Sequence, residues 1–372
     1  MGKKREIGAC LNLRPRSGFF IISLDLELGW GVLDSKNYLK GYKKNLLGVR
    51  SAVPSILDLF EKYKIHATWA AVGCLFFESR DQLLHAFPAK RPNYQDRAFS
   101  AYANMINVGA DEKEDPFHFA PSLIRLIRSY PAQEIGSHTF SHYLCLEEGQ
   151  DGETFKEDLT AALKIAKKHH LNTESIVFPR HQSNKEYIPI CAELGIKAYR
   201  GNEPAWIYRP KNSKSNQSAF RRLLRFLDSY LSITGYNCYP IHQIEGHYPH
   251  NTPPYNIPSS RFLRPYSKGL KSFEPLRLRR ITDALTYAAK KGLIYHLWWH
   301  PHNFGVNLEK NLSFLERILK HYAQLKKMYG MESQNMGELS RRLLEQHKNH
   351  SGKPNNKTYR ANAKKLVYLQ GL

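Results

Sequence analysis

The sequence predicts an α/β protein built around a parallel β-sheet. Short apolar runs alternate along the chain with segments whose apolar residues recur at helical spacing. The first run, residues 19–26 (FFIISLDL), and the last, residues 293–299 (LIYHLWW), are typical of buried strands. Strands that alternate with helices form β/α units, which assemble into a barrel or an open doubly wound sheet. Functional residues of both folds lie where strands end, so polar residues at those positions are the candidates for a site.

The remaining elements follow from the same two patterns. Further strands are predicted at residues 66–77, with a turn at Gly73, and at residues 134–136, 175–178 and 196–199. Helices are predicted at residues 46–63, 154–169, 185–194, 272–291 and 308–329. Thr154 and Glu157 are interpreted as a capping box at the start of one helix, and Gly195 ends another.

Two stretches, residues 80–120 and 203–270, show neither pattern clearly and are interpreted as loop insertions. A chain of 372 residues can form one large α/β domain or two smaller ones. Because the candidate functional residues extend from Asp25 to His300, we predict a single domain over residues 1–350, followed by a basic, flexible tail at residues 351–372.

Composition limits the classes to which the protein can belong. An apolar content of 42% excludes a largely disordered chain, and no apolar run reaches the roughly 18 residues that a membrane-spanning helix needs. The five cysteines form no C-x-x-C pair, which favours reduced thiols in a cytoplasmic protein. The formal net charge of +22 is compatible with nucleic acid, anionic lipid or a phosphorylated substrate as a partner.

The first cluster of polar residues is Asp25 and Glu27, which interrupt an otherwise apolar strand. Burying a carboxylate without a partner is costly, so each is expected to meet a cation, a metal ion or an arginine. A functional role and a structural one, as a helix cap or an ion pair, are both compatible with this pattern.

The second cluster is the segment Glu134-Ile-Gly-Ser-His-Thr-Phe-Ser-His142. Two histidines at positions i and i+4 of a helical turn, His138 and His142, point the same way and can share one metal ion. The chain has 17 histidines, so this spacing also arises by chance. Cys145 is a possible third ligand, although an inert buried thiol is the commoner case.

The third cluster follows the last apolar strand, where His296, His300 and His302 lie close together in the sequence. Alternation along the strand places His296 and His300 on one face, and His300 is best placed to reach a site at the end of the strand. His302 is either a second ligand or a surface histidine. Arg180, at the end of the predicted strand 175–178, is a cation available to hold one of the carboxylates.

Taken together and in this order, these segments resemble the polysaccharide deacetylase family (the NodB-homology domain, carbohydrate esterase family 4). The segment E-I-G-S-H-T-F-S-H is the most specific part of the resemblance, and H-A-T-W-A-A-V-G at residues 66–73 is similar to the family's second strand. The resemblance covers residues 18–330. It implies a distorted (β/α) barrel with fewer strands than a TIM barrel, here with loop insertions, and a divalent metal ion, usually zinc.

The resemblance also implies roles for individual residues. Asp25 corresponds to the general base, His300 to the general acid and Arg180 to the residue that orients the base. The implied metal ligands are Glu27, His138 and His142, and the candidate substrate-binding residues are Trp30, Trp206 and His302. Two positions depart from the family's commonest pattern: D-x-E replaces adjacent aspartates, as in a variant branch of the family, and Gln182 replaces a proline after Arg180.

The expected function is therefore metal-dependent removal of an N-acetyl or O-acetyl group from a sugar, in glycan or cell-envelope polysaccharide biosynthesis. An amidase acting on a non-sugar C–N bond and a non-catalytic carbohydrate-binding homologue remain as alternatives. Basic residues cluster at residues 209–225, 261–280 and 341–365. They suggest a substrate linked to a nucleotide or lipid diphosphate, recognised by the middle insertion, and peripheral contact with an anionic membrane at its inner face. No nucleic-acid partner is expected.

Overall fold

The computed structural model of the protein describes residues 17–34, 38–212, 218–244, 246 and 252–351. The predicted flexible tail lies outside the described residues, apart from its first residue, Ser351. Within the described part of the chain, no helix is long and apolar enough to cross a membrane.

Strands and helices alternate as the sequence predicts. The strands are β1 (Phe19–Leu26), β2 (Ala67–Ala71), β3 (Gln133–Ser137), β4 (Ser175–Ile176), β5 (Ala198–Gly201), β6 (Tyr239–Pro240), β7 (Tyr255–Pro258), β8 (Arg261–Phe262), β9 (Leu293–Trp299) and β10 (Glu332–Gln334). The helices are α1 (Tyr38–Tyr63), α2 (Arg80–His85), α3 (Pro121–Ser129), α4 (Gly152–Lys168), α5 (Ile188–Glu193), α6 (Ala219–Asp228), α7 (Glu274–Lys291), α8 (Leu308–Tyr329) and α9 (Met336–Ser351). Short 3-10 turns join several of them.

The strands form one nearly closed barrel. Their order is β6-β9-β1-β2-β3-β4-β5-β7, with β10 beside β1 and β8 beside β9, and every described pairing is parallel except that of β6 with β9. Two residues between β7 and β8 join the ends of the sheet: the Ser259 amide donates to Gly201 of β5, and the Ser260 amide donates to His296 of β9. The predicted distorted (β/α) barrel is therefore confirmed.

Alternation along β1 divides its side chains between two cores. Phe20, Ile22 and Leu24 pack against the surrounding helices, whereas Ile21 faces the barrel interior with residues such as Ile257 and Ile294. Met336, Leu339 and Leu343 of α9 belong to this interior core and close the amino-terminal end of the barrel. Asp25 is four residues after Ile21 in β1 and therefore also faces the barrel interior. Its carboxylate lies at the opposite, open end of the barrel.

Two details of the sequence interpretation need correction. The capping box of α4 is formed by Asp151 and Thr154 rather than by Thr154 and Glu157, so the helix begins at Gly152. The stretch 203–270 is not simply an insertion, because β7 and β8 lie within it and complete the barrel. Both strands are too short and too rich in polar residues and proline to show a clear period-two pattern.

Candidate active site

A buried carboxylate and two imidazoles meet above the carboxyl ends of β1 and β3. Oε2 of Glu27 lies 3.3 Å from Nε2 of His138 and 3.1 Å from Nε2 of His142, and all three side chains are buried. Nδ1 of His138 donates a hydrogen bond to the carbonyl oxygen of Val177 (2.8 Å), which leaves Nε2 as the ring nitrogen that faces Glu27. Two imidazole nitrogens and one carboxylate oxygen within 4.8 Å of one another suit Zn²⁺ or a similar divalent ion.

The lack of a side chain at Gly31 leaves space for the Glu27 carboxyl group. A Cβ atom at this position would lie 2.2 Å from the Glu27 carboxyl group, which is closer than any real contact. Glu27 is thus held against the histidines by a backbone that folds over it. The pKa of Glu27 reflects this setting: burial raises it, but His300, His138 and His142 outweigh burial and hold it well below its usual range.

The two histidines do not lie on a helical turn, as the i, i+4 spacing suggests. They belong to the loop after β3, in which Thr139 (φ 63°) and His142 (φ 58°) adopt left-handed conformations. Asp158 of α4 stabilises the loop by accepting hydrogen bonds from the Phe140 amide (2.7 Å) and the Ser141 hydroxyl. The strained backbone turns both imidazoles toward Glu27. The predicted convergence of the two rings is thus reached through a loop rather than through a helical turn.

Asp25 lies next to Glu27, His138 and His142 in the barrel interior, and its partner is Arg200 of β5. Nη1 and Nη2 of Arg200 donate to Oδ1 (2.7 Å) and Oδ2 (2.6 Å) of Asp25, and both side chains are buried. Burial raises the pKa of Asp25, but the Arg200 charge, with smaller contributions from His138 and His300, lowers it to about 2. Asp25 is therefore a carboxylate with a fixed orientation.

Arg200 is itself held from three sides. Its Nη1 donates to the Ser23 hydroxyl (2.9 Å), and its guanidinium lies over the Trp298 ring, 4.4 Å from the centroid. Burial and the Arg200 charge lower the pKa of His296 to about 3, so this ring is neutral and accepts from Ser23 at 2.8 Å. These contacts hold the Arg200 guanidinium in place beside Asp25.

Arg180 does not occupy the position expected for it. Its Nη2 donates to Asp34 at 2.5 Å, and its guanidinium lies over the Phe99 ring. The prediction that Arg180 orients Asp25 is thus corrected: the barrel brings Arg200 to Asp25 from a neighbouring strand, whereas Arg180 lies on the loop after β4 and points to the rim. A signal for Arg200 existed, because extending the predicted strand 196–199 by one residue places an arginine at its carboxyl end.

His300 completes the group at the carboxyl end of β9. Its Nε2 lies 3.4 Å from Oε1 of Glu27 and 3.8 Å from Oδ2 of Asp25, and its side chain is 23% exposed. It is the most accessible member of the group, at the boundary between the buried carboxylates and solvent. The structure therefore brings together five residues that the sequence singled out: Asp25, Glu27, His138, His142 and His300.

Comparison with known proteins relates part of the chain to a protein family. Residues 41–199 match the family model described as polysaccharide deacetylase. This segment is therefore similar to the polysaccharide deacetylase family. The resemblance inferred from the sequence is thereby confirmed, although the D-x-E branch within the family stays a prediction. No curated protein matches the sequence.

Solved structures share the fold at low sequence identity. A Mycobacterium smegmatis protein described provisionally as a polysaccharide deacetylase is 13% identical, with 90% of this chain and 92% of that chain covered and a TM-score of 0.57. A Pseudomonas aeruginosa PAO1 protein described as a probable polysaccharide deacetylase is 14% identical, with 88% and 91% covered and a TM-score of 0.51. The allantoinase Puue is also 14% identical, with 87% and 89% covered and a TM-score of 0.50.

Two of the substrate-binding candidates in this deacetylase fold are buried. Trp30 is covered by the segment that precedes α3, where its Nε1 donates to the His118 carbonyl at 2.9 Å. His302 is also buried, with its ring against those of Tyr42 and His300. Both are therefore corrected to packing residues, because the 3-10 turns after β1 and β9 fold these side chains inward. Trp206 is 52% exposed and stacks on Phe220 of α6.

Gln182, which departs from the family's commonest pattern, ties two loops of the site together. Its Nε2 donates to Glu147 at 2.6 Å, and its Oε1 accepts from the Leu146 amide at 3.0 Å. A proline could make neither hydrogen bond through its side chain. Gln182 thus joins the loop after β4 to the end of the loop that carries His142.

A cavity of about 620 Å³ opens beside His300. Phe262, Trp298 and Phe226 supply apolar walls, and most of its charged lining is basic. The basic lining residues are Arg180, Arg209, Lys211, Arg222, Arg225, Arg261 and Arg264, against Glu203 as the acidic one. The cavity can therefore accommodate a substrate that carries both a ring and negative charge.

Proposed function

We propose that the protein is a metal-dependent deacetylase that removes an N-acetyl or O-acetyl group from a sugar in glycan or cell-envelope polysaccharide biosynthesis. One observation carries the proposal: a buried Glu27, His138 and His142 triad lies beside a fixed carboxylate, Asp25, and an accessible imidazole, His300. The match of residues 41–199, which include His138 and His142, to the polysaccharide deacetylase family model supports hydrolase chemistry at this site. The full set also argues against a non-catalytic carbohydrate-binding homologue.

The residues divide the hydrolysis of an acetamide between them. Asp25 accepts a proton from the attacking water, whose oxygen forms a bond to the carbonyl carbon. His300, on the solvent side of the carboxylates, donates a proton to the nitrogen as the C–N bond breaks, which releases acetate and the sugar amine. Arg200 acts through Asp25 as a positioning residue. A Zn²⁺ ion held by Glu27, His138 and His142 would supply Lewis-acid chemistry, polarising the carbonyl group and making water easier to deprotonate.

The cavity suggests which sugars are substrates. Arg209, Lys211 and Arg222 line it and have no acidic partner within the described part of the chain. A nucleotide or lipid diphosphate attached to the sugar would satisfy these cations, whereas a neutral oligosaccharide would not. We therefore propose a diphosphate-linked acetylated sugar as the substrate class.

We also infer a cytoplasmic location. The described cysteines Cys74, Cys145, Cys191 and Cys238 are free thiols, and burial raises the pKa of Cys145 well above its usual range. Such inert thiols are usual in a reducing compartment. Cys145 is accordingly not proposed as a metal ligand.

Acetate release from paired substrates tests the proposed function. With zinc-loaded protein, we expect kcat/KM for UDP-N-acetylglucosamine to exceed that for neutral chitotetraose by on the order of tenfold or more, and this ratio to fall as salt is raised. The double variant Arg209→Gln/Arg222→Gln should reduce the ratio, and the matched pair Arg125→Gln/Arg128→Gln on α3, away from the cavity, should not.

Two results would contradict the proposal at different levels. Equal turnover of both sugars at every salt concentration would exclude the diphosphate-linked substrate class but leave the deacetylase. Absence of acetate release from any acetylated sugar, with ammonia released from a non-sugar amide, would favour the amidase alternative.

A further inference from the structure

Helix α6 exposes two of its large apolar side chains and buries two of its charged ones. Phe220 and Leu223 are 62% and 53% exposed, whereas Arg221 and Asp228 are 6% and 0% exposed. A helix on the surface of a protein surrounded by water shows the opposite arrangement. We therefore expect an apolar partner to cover the outer face of α6.

Specific contacts fix this orientation of the helix. The Asp228 carboxylate pairs with the buried Arg261 of β8 and accepts from the Tyr208 hydroxyl (2.8 Å) and the Thr234 amide (2.9 Å). Arg221 donates to the carbonyl oxygen of Trp206. Rotating the helix to bury Phe220 would break these contacts and leave buried charges without partners. The exposed apolar face is thus built into the fold.

The exposed face continues beyond α6. Trp206 stacks on Phe220, and the rings of Phe226, Tyr230 and Phe273 follow one another at centroid distances of 5.3 and 6.1 Å. We call the exposed apolar members of this region the α6 surface, and they are Trp206, Phe220, Leu223, Leu231, Ile233 and Phe273. Each is about half exposed or more, and so many large apolar side chains together mark an interaction site.

The charge around the α6 surface indicates which partner it fits. Residues 204–273 contain ten Lys and Arg residues and two acidic residues, Asp228 and Glu245. Asp228 is buried, while Arg209, Lys211, Arg222, Lys268 and Lys271 are exposed beside the apolar residues. Exposed aromatic and aliphatic side chains flanked by basic ones are the pattern of helices that lie in the interface of an anionic membrane. A second copy of a chain with net charge +22 would bring like charges together.

We propose that the α6 surface binds the interface of a membrane that contains anionic lipids. Phe220 and its neighbours would enter the headgroup region, and the flanking Lys and Arg side chains would contact lipid phosphates. Leu223 and Arg222 belong both to this surface region and to the cavity wall, so docking places the cavity mouth against the headgroups. A lipid diphosphate-linked sugar could then enter the cavity from the membrane, a step that rests on the proposed function, whereas membrane binding itself does not.

Vesicle co-sedimentation of the full chain tests the proposal. We expect binding to vesicles of phosphatidylcholine with about 30% phosphatidylglycerol and at least about tenfold weaker binding to phosphatidylcholine alone. The variant Phe220→Ser/Ile233→Ser should weaken binding to the anionic vesicles by about tenfold or more, because both side chains lose their apolar contact. The control Ile106→Ser/Met328→Ser removes two apolar residues elsewhere that are at least as exposed, at 82% and 62%, and it should bind like the wild type.

Three outcomes would overturn the proposal. The first is equal vesicle binding by wild type and Phe220→Ser/Ile233→Ser, and the second is no binding to anionic vesicles at all. The third is a concentration-dependent dimer, seen by analytical ultracentrifugation, that this variant abolishes while vesicle binding is absent. Acetate release from a water-soluble sugar, measured on the same variants, separates these failures from a failure of the proposed function, since neither Phe220 nor Ile233 lines the cavity.

Discussion

Replacing Asp25 with Asn is expected to lower kcat for acetate release by on the order of 10²–10⁴-fold. The amide cannot accept the proton of the attacking water, although it fits the same space and can still accept a hydrogen bond from Arg200. Metal content should stay at the wild-type level, because Asp25 is not one of the three clustered ligands. Single-turnover acetate release and metal analysis of the same preparation measure both effects.

Asp34→Asn is the matched control for this substitution. Asp34 is also a carboxylate paired with an arginine, but its partner is Arg180 and the pair lies at the rim of the site. We expect its kcat to remain within about threefold of wild type, in keeping with the small contribution of a partly exposed ion pair. If Asp25→Asn retained wild-type kcat, Asp25 would not be the base.

Replacing Arg200 with Met is expected to destabilise the protein by about 3–5 kcal/mol, because the Asp25 charge would be left buried without its partner. Arg180→Met should cost about 1 kcal/mol or less, since the Arg180–Asp34 pair is partly exposed. Urea unfolding of the two variants, followed by far-ultraviolet circular dichroism, compares them directly. Equal destabilisation by the two substitutions would contradict the assignment of Arg200 as the buried partner.

A double-mutant cycle separates this pairing from a general loss of packing. In the Arg200→Met background, Asp25→Asn removes the unpaired charge and should restore part of the lost stability. For any Arg200→Lys protein that folds, we expect kcat to fall while KM changes little, because Arg200 orients Asp25 rather than touching substrate. Strictly additive effects of Arg200→Met and Asp25→Asn on stability would show that the two residues do not act as a pair.

Much of the site could be predicted because it depends on local patterns. Asp25 and Glu27 interrupt an apolar strand, and the ends of parallel strands meet at one end of a barrel. His138, His142 and His300 follow two other predicted strands, so the same rule brings them close to the carboxylates. The fold class follows equally from the alternation of strands and helices.

The orienting arginine could not be chosen from sequence in the same way. Asp25 and Arg200 are 175 residues apart, and which of two arginines near strand ends reaches Asp25 depends on strand register and side-chain direction. Arg180 follows β4, whereas Arg200 lies in the neighbouring strand β5. The left-handed backbone at Arg180 (φ 52°) turns its side chain toward the rim. Burial of Trp30 likewise depends on the carbonyl of His118, which lies 88 residues away.

The stretch 203–270 is hard to predict from sequence because its helix does not follow the usual rule for surface helices. Phe220 and Leu223 of α6 are exposed while Arg221 and Asp228 are buried, which is opposite to the orientation that its amphipathic pattern predicts. β7 and β8 together contribute only six residues, with Pro258 among them. Short strands of this kind obtain their stability from closing the barrel rather than from their own sequence.

Zinc binding at equilibrium tests the central claim, that Glu27, His138 and His142 form one metal site, most directly. Dialysis of metal-free full chain against limiting zinc should give one tightly bound ion per wild-type chain. Glu27→Gln and His142→Gln should each lose on the order of 10²-fold or more in zinc affinity, and the exposed control His85→Gln should bind like the wild type. Unchanged zinc affinity in both Glu27→Gln and His142→Gln would contradict the account.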